Sequence, residues 1–282
     1  MTLREYYKFP EDANVDLVYI PHWLEDKPNF PCPTNMTDAF SNSGINYVPP
    51  IDTSKVTNMQ SMFSQCKRLM FVDLSGWDVS NVTTMTYMFN YCTSLTSLDL
   101  SNWDTSKVVV MSNMFYNCEK LISVYGISNW DTSKVNKMDY MFYNCYVLAN
   151  IDLSNWDTSK VNDMSNMFGG CSKLTSLSSL RADSLIISSY GSPFGSSNNT
   201  TLVDFGGFIN LKSSWNGSYC VDKLTALSHQ SLINILNGLY DFTGNGVTPT
   251  SSQGKLKLGA THLATLSDDE KAIATNKGWT LS

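Results

Sequence analysis

The chain has 282 residues, 42% of them hydrophobic, and a net charge of -6 with its basic residues scattered along the sequence. That apolar content suits a chain that buries a core and excludes a disordered one, while the charge leaves no basic face for a phosphate backbone and so excludes nucleic acid as a partner. No segment approaches the roughly 20 apolar residues of a membrane span, which predicts no membrane insertion.

Residues 1–31 open with "MTLREYYKFPEDANVDLVYIPHW", charged through its first part and without an apolar run of signal-peptide length. The segment is rich in Tyr, Trp and Pro and reads as an N-terminal cap or as a strap that anchors another subunit.

Residues 32–208 are dominated by an internal repeat, the feature to seek first because it decides the fold. Phe63, Phe89, Phe115, Phe142 and Phe168 follow one another at intervals of 26, 26, 27 and 26 residues. Cys66, Cys92, Cys118, Cys145 and Cys171 keep the same intervals, as do Met62, Met88, Met114, Met141 and Met167. Trp77, Trp103, Trp130 and Trp156 form a fourth column. The single added residue falls in "SVYGISNW", where the neighbouring copies have "SLDLSNW" or its like. Upstream, Met36 and Phe40 lie 23 residues before Met59 and Phe63, so an abbreviated copy precedes the first full one. The best copies span 51–180. A degenerate copy follows over 181–208, where Phe194 keeps step but Pro193 replaces the ladder Met and argues against a helical turn.

Within one copy, Val82, Met85, Met88, Phe89, Cys92 and Leu95 recur every three or four residues, the spacing of one helix face. Leu98 and Leu100 then alternate as in a short strand, and "SNWDTS" supplies turn and helix-start chemistry. The expected fold is therefore an α/β repeat, a leucine-rich-repeat-like solenoid with one short helix and one short strand per coil, parallel stacked strands, and a cap at each end. A single copy cannot bury its apolar face, whereas identical copies stacked side by side can.

Residues 209–282 read as a helix and strand module that closes the stack. Ser228 is placed to cap a helix whose Leu232, Ile235, Leu236 and Leu239 share a face, with Leu227 and Leu232 as a hydrophobic staple. "SDDE" from Ser267 to Glu270 is a capping box, Gly278 suits a helix end, and "KLKL" and "WTL" read as short strands.

The consensus "WDTSKVxxMSxMFxxCxxLTSLDLSN" resembles the repeat of the BspA-like leucine-rich-repeat family, found in surface proteins of gut and oral bacteria and in virion proteins of phages that infect them. The resemblance covers Ile51 to about Leu180 strongly and extends weakly to Phe208, and the C-terminal stretch is similar to a module that often closes such arrays. It implies binding and display rather than catalysis.

The repeated Met, Phe, Cys and Trp are accordingly assigned to the structural ladder, with the cysteines as free buried thiols. Neither the Cys nor the three His (His22, His229 and His262) show zinc spacing, so no metal or cofactor is expected. The Asp column at 52, 78, 104, 131, 157 and 183 has two readings, turn and cap duty or a calcium ladder, of which the first is adopted. Asp73, Asp99 and Asp152 are expected to face solvent on the strand side.

No nucleophile, base or phosphate-loop constellation stands out, so the chain is read as not an enzyme. The candidate binding surface is Tyr87, Tyr91, Tyr116, Tyr140, Tyr143 and Tyr146, on the exposed flank of the expected helices. There tyrosines offer amphipathic contact area to a protein or a sugar. The function expected is a bacteriophage virion component, a head or tail appendage, whose partners are other virion proteins or a host-surface glycan. The alternative is a bacterial cell-surface adhesin.

Overall fold

A computed structural model describes residues 32–45, 48, 51–185, 192–194, 201–212, 221, 224–250 and 253–282. The N-terminal cap or strap assigned to residues 1–31 lies outside the described residues, as do His22 and Cys220. The rest is a mixed α/β structure of very short strands and three α-helices.

The repeats lie side by side. Parallel β-bridges join Asn35 to Asn58, Asn58 to Thr84, Thr84 to Val110, Val110 to Lys137 and Lys137 to Asp163, one bridge per copy in register with the sequence period. The buried side chains stack between copies in the same order. Ring centroids along Phe40, Phe63, Phe89, Phe115 and Phe142 are 5.3, 5.3, 5.6 and 5.4 Å apart, and Phe168 and Phe194 extend the column at 5.9 and 6.1 Å. Trp103, Trp130 and Trp156 stack at 6.3 and 6.2 Å with planes within 8°. Removing side chains of this size from water contributes about 1.5–3 kcal/mol each, and the copies from Met62 to Trp156 each contribute a Met, a Phe and a Trp.

Among the described residues no repeat copy forms the expected helix, and the cause is physical. In the second full copy, Met88 N–H donates to Met85 O, Cys92 N–H to Phe89 O and Leu95 N–H to Cys92 O, all three residues back. Between them, Tyr87 N–H reaches Ser112 O, Phe89 N–H reaches Met114 O and Tyr91 N–H reaches Tyr116 O, all in the next copy. The segment is thus a run of tight turns whose remaining donors pair outward. Tyr87 and Tyr91, third residues of the first two turns, have φ of 59° and 57°, the left-handed geometry of a type II turn and one that a right-handed helix cannot hold. Two columns share it: Asp38, Ser61, Tyr87, Asn113, Tyr140 and Asn166 in one, and Asn42, Gln65, Tyr91, Asn117, Asn144 and Gly170 in the other. Successive turns put every third residue inward, which reproduces the apolar spacing of a helix face without the helix.

On the opposite side, β1 (Ser97–Asp99) pairs in parallel with β2 (Ser123–Tyr125), and Thr96 N–H and Ile122 N–H extend this ladder back through Met70 O and Thr96 O. β3 (Ser176–Leu177) and β4 (Leu180–Arg181) pair with β5 (Asp204–Phe205) and β6 (Phe208–Ile209), and Asn150 bridges to Ser176. Among the described residues no bridge joins β2 to Asn150. The interruption coincides with the inserted residue. Gly126, at φ 78°, opens the 3-10 turn Ile127–Asn129, and a Cβ there would lie 2.2 Å from Ser101 Cα. The expected strand is therefore formed in some copies and reduced to an isolated bridge or an extended run in others.

The C-terminal region contains α1 (His229–Asn237), α2 (Gly259–Thr265) and α3 (Asp268–Thr275), together with β7 (Lys255–Leu256) paired in parallel with β8 (Thr280–Leu281). Ser228 Oγ caps α1 by accepting from Ser231 N–H, and Ser267 with Glu270 forms the full capping box of α3. His229 Nε2 lies 2.8 Å from Glu270 Oε1 and ties the two helices together. Lys277 Nζ donates to Asn237 O at 2.7 Å and Leu239 O at 3.2 Å, covering carbonyls left open at the end of α1. Among the described residues no helix is long and apolar enough to cross a membrane.

Candidate functional site

The six candidate tyrosines lie on the turn side, not on helices. Tyr87, Tyr91 and Tyr140 occupy left-handed third positions of the turns, whereas Tyr116 and Tyr143 are second residues of the turns that close on Cys118 and Cys145. Tyr146 follows Cys145. Four of them touch. Tyr116 stacks on Tyr143 at 5.1 Å, meets Tyr91 at 5.4 Å and Tyr140 at 6.1 Å, and Tyr140 packs edge-on to Tyr143 at 5.4 Å. Tyr87, Tyr91 and Tyr146 are 38–40% exposed, while Tyr116, Tyr140 and Tyr143 are half-buried. The Tyr116 phenol is pushed up to about 12, first by burial and then by the neighbouring Tyr91, Tyr143 and Tyr140 phenols. It therefore stays a neutral hydrogen-bonding group at physiological pH. Burial, with Glu119 and Tyr143 nearby, also pushes Tyr146 up.

The ladder residues are buried where the repeat puts them: Met62, Phe63, Cys66 and Trp77; Met88, Phe89, Cys92 and Trp103; Met114, Phe115, Cys118 and Trp130; Met141, Phe142, Cys145 and Trp156; Met167, Phe168 and Cys171. The cysteines are free thiols with a specific task. Cys66 Sγ donates to Phe40 O at 3.1 Å, Cys92 to Phe63 O at 3.1 Å, Cys118 to Phe89 O at 3.1 Å, Cys145 to Phe115 O at 3.3 Å and Cys171 to Phe142 O at 3.1 Å. Four of these carbonyls, Phe63 O, Phe89 O, Phe115 O and Phe142 O, also accept the N–H that closes the turn in the preceding copy, and Phe40 O accepts from Ser43 Oγ. Burial raises all five, Cys171 to about 12. A small apolar side chain with one weak donor fits this position, and a thiol supplies both.

Asp52, Asp78, Asp104, Asp131 and Asp157 each accept the N–H of the Ser two residues on, at 2.9–3.0 Å. They serve turns, as expected, although no helix follows for them to cap. Asp183 instead holds Arg181 and accepts from Asn210 Nδ2 at 2.7 Å. Asp73, Asp99 and Asp152 make the same Ser turn on the strand side and are exposed. Among the described residues no group of three or more His, Cys, Asp or Glu could hold a metal ion.

Two features were not anticipated from the sequence. Met70, Phe71, Ile122 and Tyr125 stand 58–66% exposed on the strand side. An open cleft of about 450 Å³ lies further along it, lined among others by Asn150, Asp152, Ser178, Asp204, Gln230 and Asn234. The register of the strand columns placed the first four of these near one another in principle. The expected closing of the stack by the C-terminal module brings α1 there, but that its Gln230 and Asn234 complete the wall of a cleft had no sequence signal.

No curated protein matches the chain. A family model described as "Mycoplasma protein of unknown function, DUF285" matches residues 34–126 and again residues 98–185, the two overlapping matches falling on the repeated region and together spanning more than half of the sequence. The chain belongs to the DUF285 family.

Proposed function

We propose that the chain is a non-enzymatic binding protein, a leucine-rich-repeat-like solenoid of the BspA-like kind, displayed on an outer surface where its tyrosine flank contacts a protein or a glycan. The observation that carries this is the contiguous group Tyr91, Tyr116, Tyr140 and Tyr143, drawn from three successive copies and held on a scaffold whose copies hydrogen-bond to one another. Each Tyr gives flat contact area and a polar tip at low entropy cost, the properties that enrich it at interfaces. A rigid stacked array spreads such contacts over a long face.

Display on a virion is the reading favoured by the sequence resemblance, with a head or tail appendage as the form. Display on a bacterial cell is favoured by the family description, which names a bacterial genus. Immunogold labelling of phage particles and intact cells from the source culture, with antibody raised to this chain, tests both. Label on particles supports the virion reading, and label on cell surfaces supports the adhesin. Label confined to the interior of lysed cells overturns surface display altogether.

A further inference from the structure

The cleft on the strand side is built from three successive copies and one helix. Asn150, Ser176 and Asp204 are register partners in one column, and Asp152 and Ser178 stand two residues beyond the first two. Gln230 and Asn234, one turn apart on α1, complete the wall, with Gln230 Nε2 donating to Asn234 Oδ1 at 3.0 Å. The lining carries two carboxylates, three side-chain amides and several hydroxyls, and none of its residues is Lys, Arg or His.

We propose that this cleft binds a neutral mono- or disaccharide. The proposal rests on the reading of the chain as a binding protein but places the sugar on the strand side, away from the tyrosine flank. Side-chain amides and carboxylates offer acceptors and donors in planar pairs, which can meet adjacent hydroxyls of a pyranose ring, and serine hydroxyls serve as either partner. Two carboxylates without a cation repel phosphate, sulfate and acidic sugars, so anionic ligands are excluded. Asp152 uses Oδ1 on Ser154 N–H at 3.0 Å, and Asp204 uses Oδ1 on the Ser228 hydroxyl at 3.4 Å. An ionised carboxylate accepts at about four positions, so each retains capacity for a ligand. The Ser178 hydroxyl oxygen is buried and has no hydrogen-bond partner among the described residues.

The volume falls within the range of about 300–1,000 Å³ for small-molecule sites. Tyr125, 59% exposed, stands seven residues after Cys118 as Asp152 stands seven after Cys145. It occupies the equivalent sequence position one copy earlier, across the interruption of the strand ladder, and is not part of the cleft lining. A peptide strand is the poorer occupant, because it needs an unpaired sheet edge. On the α1 side that edge is filled: Ser231 Oγ accepts Phe205 N–H at 2.8 Å and donates to Val203 O at 3.0 Å, and Asn234 Nδ2 donates to Phe205 O at 3.2 Å.

Saturation-transfer difference NMR on the full chain tests the assignment, with glucose, galactose, mannose, N-acetylglucosamine, lactose and cellobiose as probes and glucuronic and N-acetylneuraminic acids as charged counterparts. At least one neutral sugar is expected to show transfer and the acids none. Asp152→Asn combined with Gln230→Ala should raise the dissociation constant at least tenfold. Asn keeps the acceptor for Ser154 and Gln230 is exposed, so an unchanged thermal melt shows that folding is intact. Tyr91→Ala with Tyr143→Ala should leave the sugar signal in place. Absence of transfer from every neutral sugar, equal transfer from the acids, or binding indifferent to the Asp152 and Gln230 changes overturns the cleft. Loss of signal only in the tyrosine variant also overturns it, and leaves the binding reading standing with the sugar at the flank.

Discussion

Single residues in this fold are chosen by turn geometry and by the copy next door. Asn117, Asn144 and Gly170 share one left-handed column, and these are the residue types that tolerate positive φ. Gly170→Val forces a β-branched residue to φ 77° and brings its Cβ within 2.2 Å of Asn144 Oδ1, so it should lower stability by at least roughly 1–2 kcal/mol in chemical denaturation. Asn144→Gly suits φ 57° but gives up the Nδ2 bond to Asn117 Oδ1 at 2.8 Å, so it should lower stability less than Gly170→Val does. The thiol column gives a second expectation. Because Cys66, Cys92, Cys118, Cys145 and Cys171 are buried, neutral and hydrogen-bonded, a thiol reagent should leave them unlabelled in the native protein and label them once it unfolds, while half-buried Cys32 reacts before them. Native labelling of the ladder cysteines would show that the copies open readily. These columns were legible in the sequence, because a residue facing its own copy in each repeat must recur at the repeat interval.

At the scale of elements, the repeat length and the strand register were also legible, and the helix was not. Val82, Met85, Met88, Phe89 and Cys92 satisfy a helix template, yet the same spacing arises when consecutive turns each return an inward residue after three steps. Asn113, Asn117 and Asn144 at the turn positions were the available clue, since Asn is a poor helix-interior residue and a good left-handed one. Of the C-terminal helices, α1 and α3 were legible because Ser228 and the Ser267–Glu270 capping box mark their starts with side-chain chemistry, whereas α2 begins without a side-chain cap and was not. The cleft was not, because it depends on how α1 seats against β5.

The Asp–Ser turns add a pH dependence. Asp52, Asp73, Asp78, Asp99, Asp104, Asp131, Asp152 and Asp157 are all held below the ordinary carboxylate value, in most by the hydroxyl and then the N–H of the Ser two residues on, in Asp73 by the N–H first. A carboxylate whose folded pKa is depressed stabilises the fold above its unfolded pKa, near about 3.9, and loses that contribution as pH falls through the folded value. The thermal midpoint should therefore be flat between neutral pH and the unfolded pKa and fall below it. Asp78→Asn with Asp104→Asn should make that fall shallower, and an equally steep fall in the variant would remove these turns as its cause.

Across the whole molecule, the account requires stacked copies that exchange backbone hydrogen bonds on the turn side from residue 35 to residue 163. Such an array is a nearest-neighbour structure, and its stability grows with the number of contacts between copies. It also explains how one chain can carry two unlike surfaces, tyrosines over the turns and a polar cleft over the strands. The measurement that tests this most directly is a through-hydrogen-bond NMR correlation on deuterated, isotope-labelled protein, read at the amide of Phe89. The account predicts coupling to the Met114 carbonyl, with matching couplings from Phe115 to Met141 and from Phe142 to Met167. Coupling from Phe89 to the carbonyl of Met85, four residues back, would mean a helix in every copy and would contradict it.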